Sequence, residues 1–491
     1  MSSGLVGRFR PIGEFEQQPR QGYKLLPLRF IRLSDGKYLL TNLVGEYIIL
    51  EHQELRQLVD HKLLIGSPLY QSLKARHMIY DDDSSVALDL LSAKYRTKME
   101  PVSNFTALHM FVVTLRCDHS CPYCQVSRQS EDREKFDMTR ETADKAIDFT
   151  FRSPSKAIKI EFQGGESLLN FDLIKYIVQK AKARNLVEQR ELQFVIATNL
   201  SPMTPEILEF CRQEDVLLST SLDGPSDLHN LNRPRPGKDS YQRAISGINQ
   251  AREVLGPDKV GALMTTTKAS LNRPEEIIEE YLRNGFNGIF LRPLSPYGFA
   301  IKTKSFDSYN LDEWLDFYRR GLEYIIRLNQ NGTRFVEYYA ALVLEKLLTP
   351  FGTNYVDLQS PAGIGIGGIV FNYDGDVYAS DEARMLAEMG DKKFRLGNLQ
   401  TQSYPEIMLS ENLLDPLESS VAESVPMCTD CAYLPYCGAD PVFHHATQGD
   451  SVGHKAFSQF CKKNMWIIEH LIARIEESPE TKRIFYGWLR I

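Results

Sequence analysis

The sequence predicts an α/β protein built on a partial (β/α)6 TIM-type barrel, with a winged-helix-like β3α3 unit before it and a cysteine-bearing domain behind it. Three observations carry that reading. Between about residues 105 and 305, six apolar or β-branched runs alternate with amphipathic stretches, the rhythm of parallel βα repeats. Ahead of them, short apolar runs broken by turn sequences give way to helical spacing. Of the eight cysteines, seven fall in two tight groups, one in each half of the chain.

The first unit is expected over 1–99. KLLPLRFIRL, KYLLTN and EYIILE read as short strands separated by SDG and LVG turns. HQELRQLVDHKL, PLYQSLKARHM and VALDLLSAKYRTK carry i, i+3, i+4 apolar spacing, and DDDSS and KMEPVSN punctuate the far side. The barrel is expected over 105–305, with strands in ALHMFVVTLR, AIKIEFQGG, LQFVIATN, VLLSTSLDG, VGALMTTT and GIFLRP. Six repeats imply an open barrel, with its chemistry at the C-terminal strand ends. A helical linker follows over 306–360 (EWLDFYRRGLEYIIRLNQ, then VEYYAALVLEKLL). The last domain, 361–491, opens with a hairpin in IGGIVFNYDGDVYAS and ends in a helix, FCKKNMWIIEHLIARIEE.

Bulk composition excludes several classes. The formal charge is −7 with no long single-sign run, so no nucleic-acid surface is expected; the cluster Arg233, Arg235, Lys238 is too small to make one. No stretch of about 18 apolar residues free of charge occurs, so no membrane span is expected. The N-terminus, MSSGLVGRFRPIGEFEQQPRQGYKLL, lacks the apolar core of a secretory signal. Clustered cysteines in a long chain read as metal ligands of a cytoplasmic protein rather than as disulfides.

RCDHSCPYCQ places Cys117, Cys121 and Cys124 directly after the first barrel strand. A structural zinc site closes with four ligands, and only His119 stands near as a fourth. A 4Fe–4S cluster on three cysteines keeps one iron open for an outside ligand. This C-x3-C-x2-C loop, with Tyr123 before its last cysteine, resembles that of the radical SAM superfamily. The resemblance implies a cluster whose open iron chelates S-adenosylmethionine (SAM), and one-electron cleavage of SAM to a 5′-deoxyadenosyl radical. Further matches fall in order on successive strand ends. Gln163-Gly164-Gly165-Glu166-Ser167 resembles the family's GGEP motif, with Ser167 for Pro, and implies that its backbone and Glu166 take the methionine ammonium. Asn199 ends the third strand; Ser221 and Arg233 are implied as SAM carboxylate contacts; Arg292 lies in the sixth-strand segment that flanks adenine. Gly-Gly and Asp-Gly alone are ordinary turn chemistry.

The second group is Cys428, Cys431 and Cys437, with Cys461 following. Four thiolates suit zinc or a fully ligated 4Fe–4S cluster, and spacing alone favours zinc. The region is similar to the SPASM extension of radical SAM peptide modifiers, which implies an iron–sulfur cluster instead. The chain departs from that pattern at Ser380, Pro441 and near Ser360, where the family has cysteines of a further cluster. Two 4Fe–4S clusters are therefore expected, one binding SAM and one auxiliary. Asp381, Glu382 and Arg384 occupy the vacated region and are the catalytic candidates, although a solvated turn with internal ion pairs explains each as well.

Strings such as SPAGIGIGGIVFNYDGDVYASDEARMLAEMGD resemble the maturases of the His-Xaa-Ser peptide system. That implies a ribosomally made precursor peptide and a crosslink of the cyclophane type, with flavodoxin or ferredoxin as electron donor. The N-terminal unit is similar in outline to a precursor-recognition domain, which binds a leader by strand addition; KYLLT or EYIILE is expected to offer the edge. Two other readings stand beside this one. A sulfatase-maturase-like oxidation of Ser or Cys would leave a carbonyl, and a zinc-stabilised winged-helix DNA reader would turn over no SAM. Cys211 reads as a small buried hydrophobe or, less readily, a hydrogen-atom donor. His444 and His445 read as substrate contacts or ordinary histidines, and Tyr338 and Tyr339 as core.

Overall fold

The computed structural model describes residues 22–81, 86–103, 105–307 and 310–489. The N-terminal stretch up to residue 21 and most of DDDSS lie outside them.

The first unit starts with β1 (Lys24–Leu25), β2 (Leu28–Arg32), β3 (Tyr38–Asn42) and β4 (Tyr47–Leu50). Helices His52–Val59 and Pro68–Ala75 follow, then β5 (Ile79–Tyr80) and the long helix Val86–Ser103. Ser67 caps the second helix by accepting from Tyr70 N, with Pro68 at its first position, where a missing N–H costs nothing. The sheet order is β2-β3-β4. β3 is therefore paired on both sides, which corrects the expectation that KYLLT offers a free edge; the edges are β2 and β4. Alternation explains how the unit sits. Leu40 faces the unit's own core with Tyr23, Leu58 and Leu73, while Leu39, pointing the other way, joins the main core of the molecule.

The barrel strands are β6 (Leu108–Thr114), β7 (Ala157–Gly164), β8 (Glu191–Ala197), β9 (Val216–Ser221) and β10 (Val260–Leu263), all parallel. The sixth run behaves differently. β11 (Gly288–Ile289) pairs with β12 (Val336–Glu337) rather than with β10, and Thr266 N donating to Arg292 O links the two runs. Pro293 and Pro296 follow at once, and prolines cannot donate to a ladder. The expected hairpin forms from β13 (Gly368–Phe371) and β14 (Asp376–Tyr378), extended by β15 (Arg395–Asn398). β13 runs parallel to β6, so the C-terminal hairpin continues the barrel sheet and lies beside the cysteine-bearing strand. Among the described residues, no helix is long and apolar enough to cross a membrane.

Candidate functional site

The three-cysteine loop leaves the end of β6 already pinned. Asp137 accepts from Thr114 Oγ1 at 2.6 Å and from Nε and Nη2 of Arg116 at 2.7 and 2.8 Å. Arg116 also donates to Leu169 O at 2.7 Å. Bidentate pairs of this kind fix direction as well as position. The Gly-Gly pair packs directly on this strand end. A Cβ on Gly164 would stand 2.0 Å from Thr114 O, and one on Gly165 2.3 Å from Arg116 O. Glycine is required here because two backbones touch, with Gly165 N and Glu166 N donating to those same carbonyls.

Cys117, Cys121 and Cys124 open into one cavity of about 270 Å³. Tyr123, Gly164, Gly165 and Asn199 line it with them, as do Ser221, Arg233 and Arg292. Glu166 is not on that wall. Its carboxylate turns inward, accepting from Leu168 N, Thr198 Oγ1 and Asn199 N at 3.0, 2.6 and 2.7 Å. Burial pushes it up to about 7 against those three bonds. Arg233 is held by Asp223, with Nε to Oδ2 at 3.0 Å, and lies over the Tyr123 ring at 5.6 Å. Tyr123 donates to the same Asp223 at 2.6 Å, so one fully buried acid ties the cysteine loop to the end of β9. Asn199 reaches the loop from β8 through Asp118 at 2.8 Å. Burial would raise the Asp118 carboxyl, but its bonds to His119 and Asn199 hold it near 2. Burial drives the Cys121 thiol up to about 12 while Arg233 pulls the other way. Such a pocket favours thiolates only when a cationic group is bound, and three thiols facing one cavity fit a cluster with an open iron.

The C-terminal cysteines sit on short turns and on the first turn of helix Gln459–Glu477, where Ser458 caps Cys461 N. Cys461 lies in the electrostatic field of Cys437, Cys431 and Cys428, so the four form one set. Lys455, Lys463 and the buried Lys346 all act electrostatically on Cys437, and Lys346 Nζ donates to Cys437 O and Leu358 O, both at 2.5 Å. Burial pushes all four thiols up, Cys461 to about 12, with the lysines pulling Cys428, Cys437 and Cys461 the other way, so a bound metal would be needed to hold them as thiolates. The residues standing where the SPASM pattern has further cysteines do other work. Ser380 caps helix Asp381–Ala387, Pro441 opens helix Pro441–Gln448, and Ser360 bonds Glu423 at 2.5 Å.

The three catalytic candidates separate. Asp381 lines the three-cysteine cavity. Glu382, its neighbour, lines a second, inner cavity of about 80 Å³ and stands 4.0 Å from Arg292, which lines both. Arg384 faces neither. Only 1% exposed, it donates to Val126 O at 3.2 Å and bridges to Asp381, tying the hairpin helix to the cysteine loop. Asp357, Asp440 and Lys463 also face the inner cavity. Sequence reasoning missed these, as it missed the bond role of Asp223. Asp440 alone had a signal, an Asp-Pro helix start, and it accepts from Phe443 N. Cys211 is core, 1% exposed on helix Pro205–Glu214. His444 bonds Asp440 O and Ser458, and His445 bonds Asp391.

Comparison with known proteins gives this geometry a family. The radical SAM superfamily matches residues 111–281. An uncharacterised protein of Methanocaldococcus jannaschii is 30% identical over 38% of this chain, which spans 61% of that relative's length. The radical SAM cyclopropyl synthase TigE of Paramaledivibacter caminithermalis is 24% identical, over 44% of this chain and 45% of its own. A cysteine-type anaerobic sulfatase-maturating enzyme of Clostridium perfringens is also 24% identical, over 59% of this chain and 76% of its own. Among solved structures, the sulfatase maturase anSMEcpe with bound AdoMet superposes over 77% of this chain and 100% of its own, TM-score 0.62 at 15% identity. Streptococcus suis SuiB bound to precursor peptide SuiA superposes over 90% of this chain and 100% of its own, TM-score 0.53 at 15% identity. Residues 111–281, which carry the three-cysteine loop at the end of β6, match the radical SAM superfamily, and the chain is similar to radical SAM maturases over the stretches given above.

Proposed function

We propose that the protein is a maturase of a ribosomally made peptide, which removes a hydrogen atom from an unactivated side-chain carbon and closes an intramolecular carbon–carbon crosslink of the cyclophane type. One observation carries this: the inner cavity has a wall residue in common with the three-cysteine cavity and another that feels the second cysteine set. It shares Arg292 with the three-cysteine cavity, and its Lys463 lies in the field of Cys437. Cys117, Cys121 and Cys124 would hold a 4Fe–4S cluster that with SAM would supply hydrogen-atom abstraction, and Cys428, Cys431, Cys437 and Cys461 would hold a second that would supply an electron acceptor.

The chain's own residues do the placing. Ser221 and Arg233 hold the SAM carboxylate, with Asp223 fixing the guanidinium. Asp381 and Glu382 face the two sides of the boundary between the cavities, and Glu382, largely buried with a carboxyl near 7, is the better placed to hold a substrate proton. Aromatic and apolar side chains of the inner cavity exclude water.

The division into 1–99, 105–305, 306–360 and 361–491 follows the same reading, with the first unit binding the leader along the free edge of β4 or β2. Its support is the sheet order and the extent of the likeness to SuiB, a protein solved with its precursor peptide. A precursor of the His-Xaa-Ser type rests on the resemblance of residues 360–391 to that system. The likeness to sulfatase maturases supports a second reading, oxidation of a Ser or Cys side chain to a carbonyl. External reductant in either case is a flavodoxin- or ferredoxin-type protein.

The test is anaerobic reconstitution with iron and sulfide, then dithionite, SAM and candidate precursor peptide. About eight irons per chain, 5′-deoxyadenosine, and a product lighter by two hydrogens that resists hydrazine reagents are expected. A hydrazine-reactive product transfers the case to the sulfatase-maturase reading. No SAM cleavage by loaded enzyme ends both.

A further inference from the structure

The inner cavity holds more acids than cations. Asp357, Glu382 and Asp440 face it against Arg292 and Lys463, which leaves one negative charge over when all five ionise. Burial pushes the Asp357 and Asp440 carboxyls up, with Glu382 at about 7, as expected of acids short of a counter-charge. The rest of the wall is largely aromatic. Lys463 lays its ammonium over the Tyr339 and Phe460 rings at 5.1 and 5.4 Å, so a cation already rests on this surface. Among the described residues two further groups lack a partner: the Tyr297 hydroxyl and the Trp314 indole N–H, on side chains each 1% exposed and each part of the cavity wall. Buried polar groups are ordinarily bonded, so this wall holds one acceptor and one donor left over for a ligand that draws them inward.

We propose that this cavity, within the peptide-maturase reading, receives a cationic side chain of the substrate, its ammonium or guanidinium head held by the three carboxylates and the aromatic wall. Tyr297 Oη accepts from that head, and the Trp314 N–H donates to a carbonyl oxygen of the same peptide. A volume of about 80 Å³, the space of roughly three waters, admits one head group. The cation is an anchor. With it seated, an adjoining residue of the peptide lies toward Arg292 and the three-cysteine cavity, where the hydrogen atom is taken.

The probes are N-acetyl-arginine methylamide and its neutral isostere, N-acetyl-citrulline methylamide, titrated calorimetrically into the anaerobically loaded holoenzyme with SAM. The arginine probe should bind at least about tenfold tighter than the citrulline probe, and Glu382→Gln with Asp440→Asn should erase that preference. Lys463→Met should tighten arginine binding, because it removes a competing charge, and a damaged fold does not mimic a gain. Equal binding of the two probes, no saturable binding, or weaker binding by Lys463→Met overturns the inference. The same samples are assayed for 5′-deoxyadenosine. Charge-selective binding without SAM cleavage overturns the maturase reading alone, and SAM cleavage without charge preference overturns the cation pocket alone.

Discussion

The three-cysteine loop hangs from the barrel's own strand ends, whereas the four-cysteine set is closed by groups from remote parts of the chain. Around the first, Asp137, Gly164, Asp223 and Asn199 come from successive loops of one sheet. Around the second, the N-terminal unit reaches in: Arg29 Nε donates to Thr429 O at 2.6 Å, Thr41 Oγ1 to Ala432 O at 2.8 Å, and Tyr436 Oη to Gly45 O at 2.7 Å. Each bond spans about 400 residues or a little less. The difference teaches that the first site is a property of the barrel and the second a property of how the domains meet. The first should survive damage to the N-terminal unit, and the second should not.

The largest effect separates the sites outright. Cys121→Ala should lower iron by about four per chain and abolish 5′-deoxyadenosine formation, while Cys431→Ala should lower iron as much and leave SAM cleavage in place. Iron assay and chromatography of the nucleoside read both. If Cys431→Ala also ends SAM cleavage, the sites are not independent and the comparison fails.

A matched pair of glycines sharpens it. Gly165 touches the strand end before Cys117, and Gly438 follows Cys437 with its Cβ position 2.4 Å from Asp357 O and 2.5 Å from Gln359 N. Neither backbone can step aside without moving a cysteine, so each Ala substitution should destabilise by about 3 kcal/mol. Gly165→Ala should empty the three-cysteine site alone and Gly438→Ala the four-cysteine site alone. Iron content after reconstitution of each variant, beside its thermal midpoint, decides between local and global loss.

A pH dependence comes from the interface. Lys98 is buried against the Tyr436 ring, with Nζ donating to Lys346 O at 3.3 Å. Burial, with Lys346 nearby, pulls its ammonium from an ordinary value of 10.5 down to about 7. Between those values the unfolded chain keeps a proton that the folded chain has shed, so this group makes stability rise with pH across the window. Below about 7 the folded chain must bury the charge and the penalty is complete. Lys98→Met should therefore be more stable than the natural protein near pH 7, and the gap should close toward pH 10. A gap that stays constant from pH 6 to 10 would show that packing, not charge, is what changed.

How much of this the sequence discloses follows the same division. The strand–helix rhythm, the three cysteines and the Gly-Gly pair are local signals, because consecutive residues carry them and the sheet then stacks them in order. Even the reason for Gly164 and Gly165 is nearly local, one strand leaning on the next. β11 was less legible: an apolar run announces a strand, but Pro293 and Pro296 decide that it cannot extend, and only packing decides that its partner is β12. The inner cavity draws on segments near 292, 314, 357, 382, 440 and 463, and no periodicity links such positions. Asp223 looks like turn chemistry in SLDGP and proves to be a buried counter-ion. KYLLT looked like an edge because alternation shows which faces are apolar and says nothing about which neighbours pair.

Thr41 gives the smallest and most selective prediction. It lies on β3, fully buried, with its hydroxyl on Ala432 O inside the loop between Cys431 and Cys437. Thr41→Val keeps the shape and removes one donor, leaving a buried carbonyl unsatisfied, which should cost about 1 kcal/mol. Global stability should fall by no more than that. If the N-terminal unit braces the second site, the loss should concentrate there: iron on the four-cysteine set should become more labile to chelator or oxygen, while SAM cleavage by the three-cysteine site stays at its usual rate. Timed iron release from the natural protein and the variant reads the difference. An equal, small increase at both sites would mean that Thr41 stabilises the molecule as a whole, and the contrast between a self-supporting site and a braced one would lose its most direct support.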